Sequence, residues 1–176
     1  MAVAAALTPP VASEDTLGVT ARYQVALEAH PRQRTLVVPA TTTWAAYPSL
    51  WPVLLDEVWS LLRAAGIDRG CPNVMLYRGD RPRVEVGVLH DGELEPAGRV
   101  VVSSLPAGTV ATTTHHGSYA GLADAHRAVV DWCREQGIAL SDIRWELYGP
   151  HAAEPALVWT RVCWLVAEDT GGSAGS

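Results

Sequence analysis

Apolar and polar positions in this chain recur with two different periods, and the switches between them lay out the elements. Tyr23 to Leu27 alternates as a strand does, and Thr35 to Thr43 is a longer, β-branched run of the same kind. From Ser49 the spacing turns helical. Leu50, Leu54, Leu55, Val58, Leu61, Leu62 and Ala65 form an apolar stripe flanked by Trp51 and Trp59, while Asp56, Glu57, Ser60 and Arg63 fall on the opposite side. Ser49 is the expected N-cap, Pro52 is tolerable only in a first turn, and Gly66 is the expected stop. Strands follow at Val74 to Tyr77 and Arg83 to Leu89, linked by the turn chemistry of Arg78-Gly79-Asp80-Arg81-Pro82. Two more are expected at Arg99 to Ser104 and Thr109 to His115. A second helix runs from about Gly121 to Gln136, with Leu122, Ala125, Val129, Trp132 and Cys133 inward and Gly137 as its stop. Strands at Ile143 to Tyr148 and Leu157 to Val166 complete the pattern.

A shift of 71 residues, which carries Gly66 onto Gly137, maps one half of this pattern on the other. Thr41-Thr42-Thr43 falls on Thr112-Thr113-Thr114, Val58 on Val129, Arg63 on Arg134, and Leu76-Tyr77 on Leu147-Tyr148. The expected fold is therefore α+β: a pseudo-two-fold duplication of a strand-helix-strand-strand module, with an antiparallel sheet, two main helices and a central ligand groove where the copies meet. A single domain is expected over 21–168, its halves at about 22–95 and 99–168, with disordered segments at 1–20 and 169–176.

One residue breaks the pattern chemically. In the strand Arg144-Trp145-Glu146-Leu147-Tyr148, alternation puts Arg144, Glu146 and Tyr148 on one side and Trp145 and Leu147 on the other. Glutamate is depleted in strands and costly to bury unpaired, so Glu146 is solvated, paired with Arg144 or Arg161, or held for a cation. Under the 71-residue shift Met75 corresponds to Glu146 and Tyr77 to Tyr148, so these four converge near the pseudo-axis. A thioether, a carboxylate and two tyrosines make a box suited to a flat cation, provided that the acid has no basic neighbour. Core packing with a bonded hydroxyl is the alternative for both tyrosines. Trp44, Trp51, Trp59 and Trp159 are further candidates for the groove wall, with core packing equally open to them. Trp159 is preferred to Trp164, which has the opposite parity on the last strand, and Trp145 is expected in the core.

Composition narrows the functional classes. Seven Trp and five Tyr with no Phe suit a pocket that needs both apolar faces and polar edges. The formal net charge of −6 argues against a nucleic-acid surface and favours cationic small molecules. Three cysteines without CxxC spacing indicate a reducing, cytoplasmic setting, and no apolar run reaches membrane-spanning length. His115 and His116 are adjacent, hence on opposite faces of a strand, and His126 completes no ligand set, so neither a metal nor a cofactor is expected. Monomer and homodimer both remain open.

The run Val110-Ala111-Thr112-Thr113-Thr114-His115-His116-Gly117-Ser118-Tyr119, a helix, and then Trp145-Glu146-Leu147-Tyr148 resembles the gyrase-inhibitory-protein-like (GyrI-like) family, most closely over residues 99–168. The resemblance implies two copies of the strand-helix-strand-strand module and a groove whose buried glutamate, here Glu146, neutralises cationic aromatic drugs. With no DNA-binding domain expected, the chain is similar to the stand-alone members. Some of these bind drugs broadly. Others look like hydrolases that open the cyclopropane ring of DNA-alkylating natural products. That second role would use Glu146 as acid or base, with Tyr148 or Tyr119 as proton donor.

Overall fold

The computed structural model describes residues 23–150, 154 and 157–168. The expected disordered segments at 1–20 and 169–176 lie outside the described residues. The elements are β1 (Ala26–His30), β2 (Gln33–Thr41), α1 (Tyr47–Ala64), β3 (Asn73–Arg78), β4 (Arg83–Leu89), β5 (Val101–Leu105), β6 (Gly108–His116), a 3-10 turn (Tyr119–Gly121), α2 (Leu122–Glu135), β7 (Leu140–Tyr148) and β8 (Trp159–Val166). The eight strands form one sheet in the order β1-β6-β8-β7-β3-β4-β2-β5, and every neighbouring pair is antiparallel. The fold is α+β with two main helices.

The duplication is visible in that order. β2-α1-β3-β4 forms one half and β6-α2-β7-β8 the other, and they meet at the central pair β3–β7. Each half is extended by the strand that precedes the other half, since β1 pairs with β6 and β5 with β2. Both helices end alike. Gly66 and Gly137 take φ of +80° and +70°, and the next amide reaches back to a helix carbonyl, Ile67 to Leu62 at 2.9 Å and Ile138 to Cys133 at 2.8 Å. This is the left-handed closure that glycine permits without steric cost.

The single offset of 71 does not hold throughout. It fits the helix stops and β3 against β7, but β2 and β6 match in length and burial when Gln33 is carried onto Gly108, an offset of 75. The helices account for the difference, because α1 has 18 residues and α2 has 14. Four residues is one helical turn, a change that keeps the apolar stripe facing the sheet. Trp44, which an offset of 71 would match with His115, therefore corresponds to Tyr119. The start of α1 also differs from expectation. It begins at Tyr47, and Ser49 lies inside the first turn rather than capping it. The Thr43 hydroxyl instead accepts from the Ala46 amide at 3.2 Å.

Both helices lie on the same face of the sheet. Leu54, Val58 and Leu62 of α1 pack on Leu36, Val38, Val84, Val86 and Val88, whereas Ala125, Val129 and Cys133 of α2 pack on Ala111 and Val162. Tyr148 touches both clusters, which marks the seam between them. The other face has its own core around Trp145, Val74, Leu76 and Cys163. Trp145 is 1% exposed, pointing away from Glu146 as strand alternation predicts.

Candidate functional site

The central strand pair sets the site. Met75 of β3 lies directly opposite Glu146 of β7, so both side chains rise on the helix-bearing face at the pseudo-two-fold position. Alternation then brings Tyr77 and Tyr148 to the same face, one from each half. Both phenols donate to a single carboxylate oxygen, Glu146 Oε2, at 2.7 and 2.6 Å respectively. Tyr77 gives its only proton to the acid, so its oxygen is free to accept from Tyr47 Oη at 3.2 Å. Tyr47 also lies 3.0 Å from Met75 Sδ.

Glu146 is 6% exposed. It does not stand alone, contrary to the expectation of an acid without a basic neighbour. Its Oε1 lies 2.8 Å from His126 Nε2, which α2 supplies, and His126 Nδ1 in turn accepts from Trp164 Nε1 at 3.0 Å. Neither Arg144 nor Arg161 pairs with it. Arg161 reaches Glu28 and Thr112, and the Arg144 guanidinium lies over the rings of Trp44, Tyr77 and Trp164 at 5.1, 5.6 and 4.9 Å. Burial by itself would raise the Glu146 pKa, but the hydrogen bond and electrostatic attraction of His126, with the hydrogen bonds from Tyr148 and Tyr77, outweigh it and hold the carboxyl below its ordinary value. Burial and the adjacent carboxylate push the phenols of Tyr77 and Tyr148 well above the usual tyrosine range, and burial does the same to Tyr47. The site is therefore one buried carboxylate held by two phenols and an imidazole.

A cavity of about 270 Å³ opens above this charge. Of the residues singled out from sequence, Glu146, Tyr148, Tyr77, Met75 and Tyr119 line it. Trp51 and Leu55 of α1, Leu122 at the start of α2, Asn73 and Tyr47 complete the wall, and of these only Trp51 is a groove candidate from sequence. Trp44, Trp59 and Trp159 lie outside it. Trp44 is 45% exposed and leans on the rings of Tyr47 and Tyr77. Trp59 and Trp159 border a neighbouring groove of about 390 Å³ that shares Tyr148 and Asn73 with the first, and Trp59 Nε1 donates to Asn73 Oδ1 at 2.8 Å.

Sequence reasoning passed over His126 and Trp164. The signal for His126 was present, because it falls four residues after Leu122 and three before Val129, within the apolar stripe of α2. On β8, Trp164 lies opposite Arg144 and Val162 opposite Glu146, so Trp164 rather than Trp159 shares the carboxylate's face. His115 has a structural part. Its ring is 2% exposed and joins Tyr23 Oη to the Ser118 carbonyl, both at 2.8 Å. Among the described residues no three His, Cys, Asp or Glu side chains are grouped to hold a metal, and no helix is long and apolar enough to cross a membrane.

No protein-family model matches the chain, and no curated protein sequence matches it. Solved structures do. The C-terminal domain of EcmrR is 21% identical with a TM-score of 0.63, over 83% of this chain and 98% of that domain. Within the EcmrR–DNA complex in EcmrR-RPo, the same likeness covers 82% of this chain and 57% of the EcmrR chain. SAV2435 bound to tetraphenylphosphonium is 10% identical with a TM-score of 0.57, over 82% of this chain and 94% of that one. A hydrolase from Listeria innocua is 12% identical with a TM-score of 0.55, over 82% and 92%. At these identities the shared property is the fold.

Proposed function

We propose that this chain is a GyrI-like protein that binds bulky aromatic cations in the cavity above Glu146. The observation that carries the reading is the state of that acid. It is buried, its carboxyl is held below the ordinary pKa, and two phenols and one imidazole bond it at the floor of an aromatic-walled cavity. A cation entering there meets a charge that water screens little, and aromatic faces add about 0.5–2 kcal/mol each where the site is dry. Support also comes from the shared fold of SAV2435, which binds tetraphenylphosphonium.

The hydrolytic alternative, opening of strained rings by Glu146 with Tyr148 or Tyr119, asks Glu146 to exchange a proton near neutral pH. A general base works best with a pKa near the working pH, and this carboxyl is displaced away from it. Binding is therefore the favoured reading.

Fluorescence titration of wild type and Glu146→Gln with tetraphenylphosphonium tests it. The substitution keeps the shape and removes the charge, and affinity should fall roughly 30-fold or more, about 2 kcal/mol. Equal affinities would remove the ground for the proposal. A mass-spectrometric search for turnover of a cyclopropane-bearing alkylator separates binding from hydrolysis.

A further inference from the structure

A carboxylate beside a histidine ordinarily invites an ion pair, and an ion pair would spend the charge that the proposed ligand needs. The hydrogen-bond inventory around His126 answers this. The Trp164 indole can only donate, and its Nε1 lies 3.0 Å from His126 Nδ1, so that ring nitrogen is the acceptor and carries no proton. The remaining proton is on Nε2, where it is donated to Glu146 Oε1 at 2.8 Å. Protonating the ring would set an N–H on Nδ1 against the indole N–H. The two rings meet edge to face, 5.9 Å apart at 75°, and the His126 side chain is 19% exposed, so water is poorly placed to substitute for either bond.

We infer that Trp164 is a positioning residue that locks His126 in the neutral Nε2–H tautomer, so that His126 braces Glu146 without neutralising it. The inference rests on the binding function proposed above and adds the residue that keeps the site's charge available. Of the ring's neighbours, the carboxylate attracts a second proton, and the indole N–H opposes it at the one nitrogen that could take it. From β7 the ring faces Glu146, whose other oxygen takes Tyr148 and Tyr77. From β8 it faces Trp164, whose own ring lies under the Arg144 guanidinium. On α2 itself, Asp124 and Arg127 pair with each other at 3.3 Å at the surface.

Two measurements test the lock. Nitrogen-15 NMR of wild type should show His126 Nδ1 unprotonated and Nε2 protonated from about pH 8 down to about pH 5.5, the range in which an ordinary imidazole gains its charge. A doubly protonated ring within that range would overturn the inference. For the second, tetraphenylphosphonium carries its charge at every pH. Its affinity for wild type should stay flat over the same interval. In Trp164→Phe the indole donor is gone, His126 can take a second proton and pair with Glu146, and affinity should fall about tenfold on acidification. The double variant Trp164→Phe/His126→Gln should be flat again, because its side-chain amide cannot titrate. A Trp164→Phe profile parallel to wild type would sink the lock. If wild type binds no tetraphenylphosphonium at all, the binding function fails, and the NMR measurement still decides the tautomer on its own.

Discussion

The two halves of this molecule bring equivalent parts to the central seam and different chemistry. Each places a rim aromatic over a tyrosine at the end of its central strand: Trp44 over Tyr77 in the first half at 5.6 Å, and Tyr119 over Tyr148 in the second at 5.5 Å. Each of those tyrosines donates to the same oxygen of Glu146. At the axis itself the equivalence ends. The first half supplies Met75, apolar and polarisable, whereas the second supplies Glu146 with His126 behind it. Two carboxylates in paired positions could not both ionise, so a duplicated scaffold that keeps a charge at its axis has room for only one. The duplicated parts thus provide the donors, and the break in symmetry provides the charge.

Met75→Glu breaks this comparison most severely. Met75 is 4% exposed and faces Glu146 across the strand pair. The substitution should cost roughly 3 kcal/mol or more near pH 7, the range for an uncompensated buried charge, with part of the loss recovered as pH falls and one of the two acids takes a proton. Urea denaturation of Met75→Glu and Met75→Gln over a pH series measures it. Equal stability of the two variants at pH 7 would mean that the axis tolerates charge from either half.

Much of this arrangement was open to sequence reading, and the failures have physical causes. Strand alternation puts Met75 with Tyr77, and Glu146 with Tyr148, on one face of their own strands, because a period of two leaves no other option, and the 71-residue offset then relates the two pairs. The paired glycine stops at Gly66 and Gly137 were legible because left-handed closure selects the residue type. The extra turn of α1 was hidden, since four inserted residues preserve helical periodicity and leave no gap in the apolar pattern. That displaced the counterpart of Trp44 from Tyr119 to His115. His126 and Trp164 depend on how α2 and β8 pass over β7. This is a tertiary relation that no local period encodes, so a basic partner for Glu146 was assigned only among the arginines.

A milder test asks whether the two tyrosines are equivalent supports. Tyr77→Phe and Tyr148→Phe each remove one hydrogen bond to the carboxylate, worth about 1.5–3 kcal/mol for a charged acceptor. Tyr77→Phe also takes away the acceptor of Tyr47 Oη, so its loss should exceed that of Tyr148→Phe by about 0.5–1.5 kcal/mol. Their pH dependence has a defined sign. The folded Glu146 pKa lies below the unfolded value near 4.3, so its stabilisation is present above that value and lost as pH falls through the folded one. Either substitution raises the folded value, so each variant should lose less stability on acidification than wild type. Unequal losses, beyond about 1.5 kcal/mol apart, would show that one half dominates.

The smallest expected effect concerns the space beneath the two rims. The offset of 71 that relates Met75 to Glu146 also relates Asn73 to Arg144. Asn73 leaves room for the cavity beside Tyr119 and Tyr148, whereas the Arg144 guanidinium occupies the corresponding place against Trp44 and Tyr77. Among the described residues no carboxylate lies within ion-pair distance of Arg144, so its charge is met by the faces of three rings and by the longer-range fields of Glu146, Asp80 and Asp142. That positive charge opposes an incoming cation. Arg144→Asn should therefore tighten tetraphenylphosphonium binding by roughly two- to fivefold at low ionic strength, under about 1 kcal/mol, and the gain should shrink as salt screens the interaction. Lost cation–π contact should lower folding stability by up to about 1 kcal/mol at the same time. Titration at two salt concentrations separates these contributions, because only the electrostatic one depends on ionic strength. Weaker binding at both would mean that Arg144 acts by shaping the Trp44–Tyr77 wall, and the two sides of the seam would then be alike in charge as well as in form.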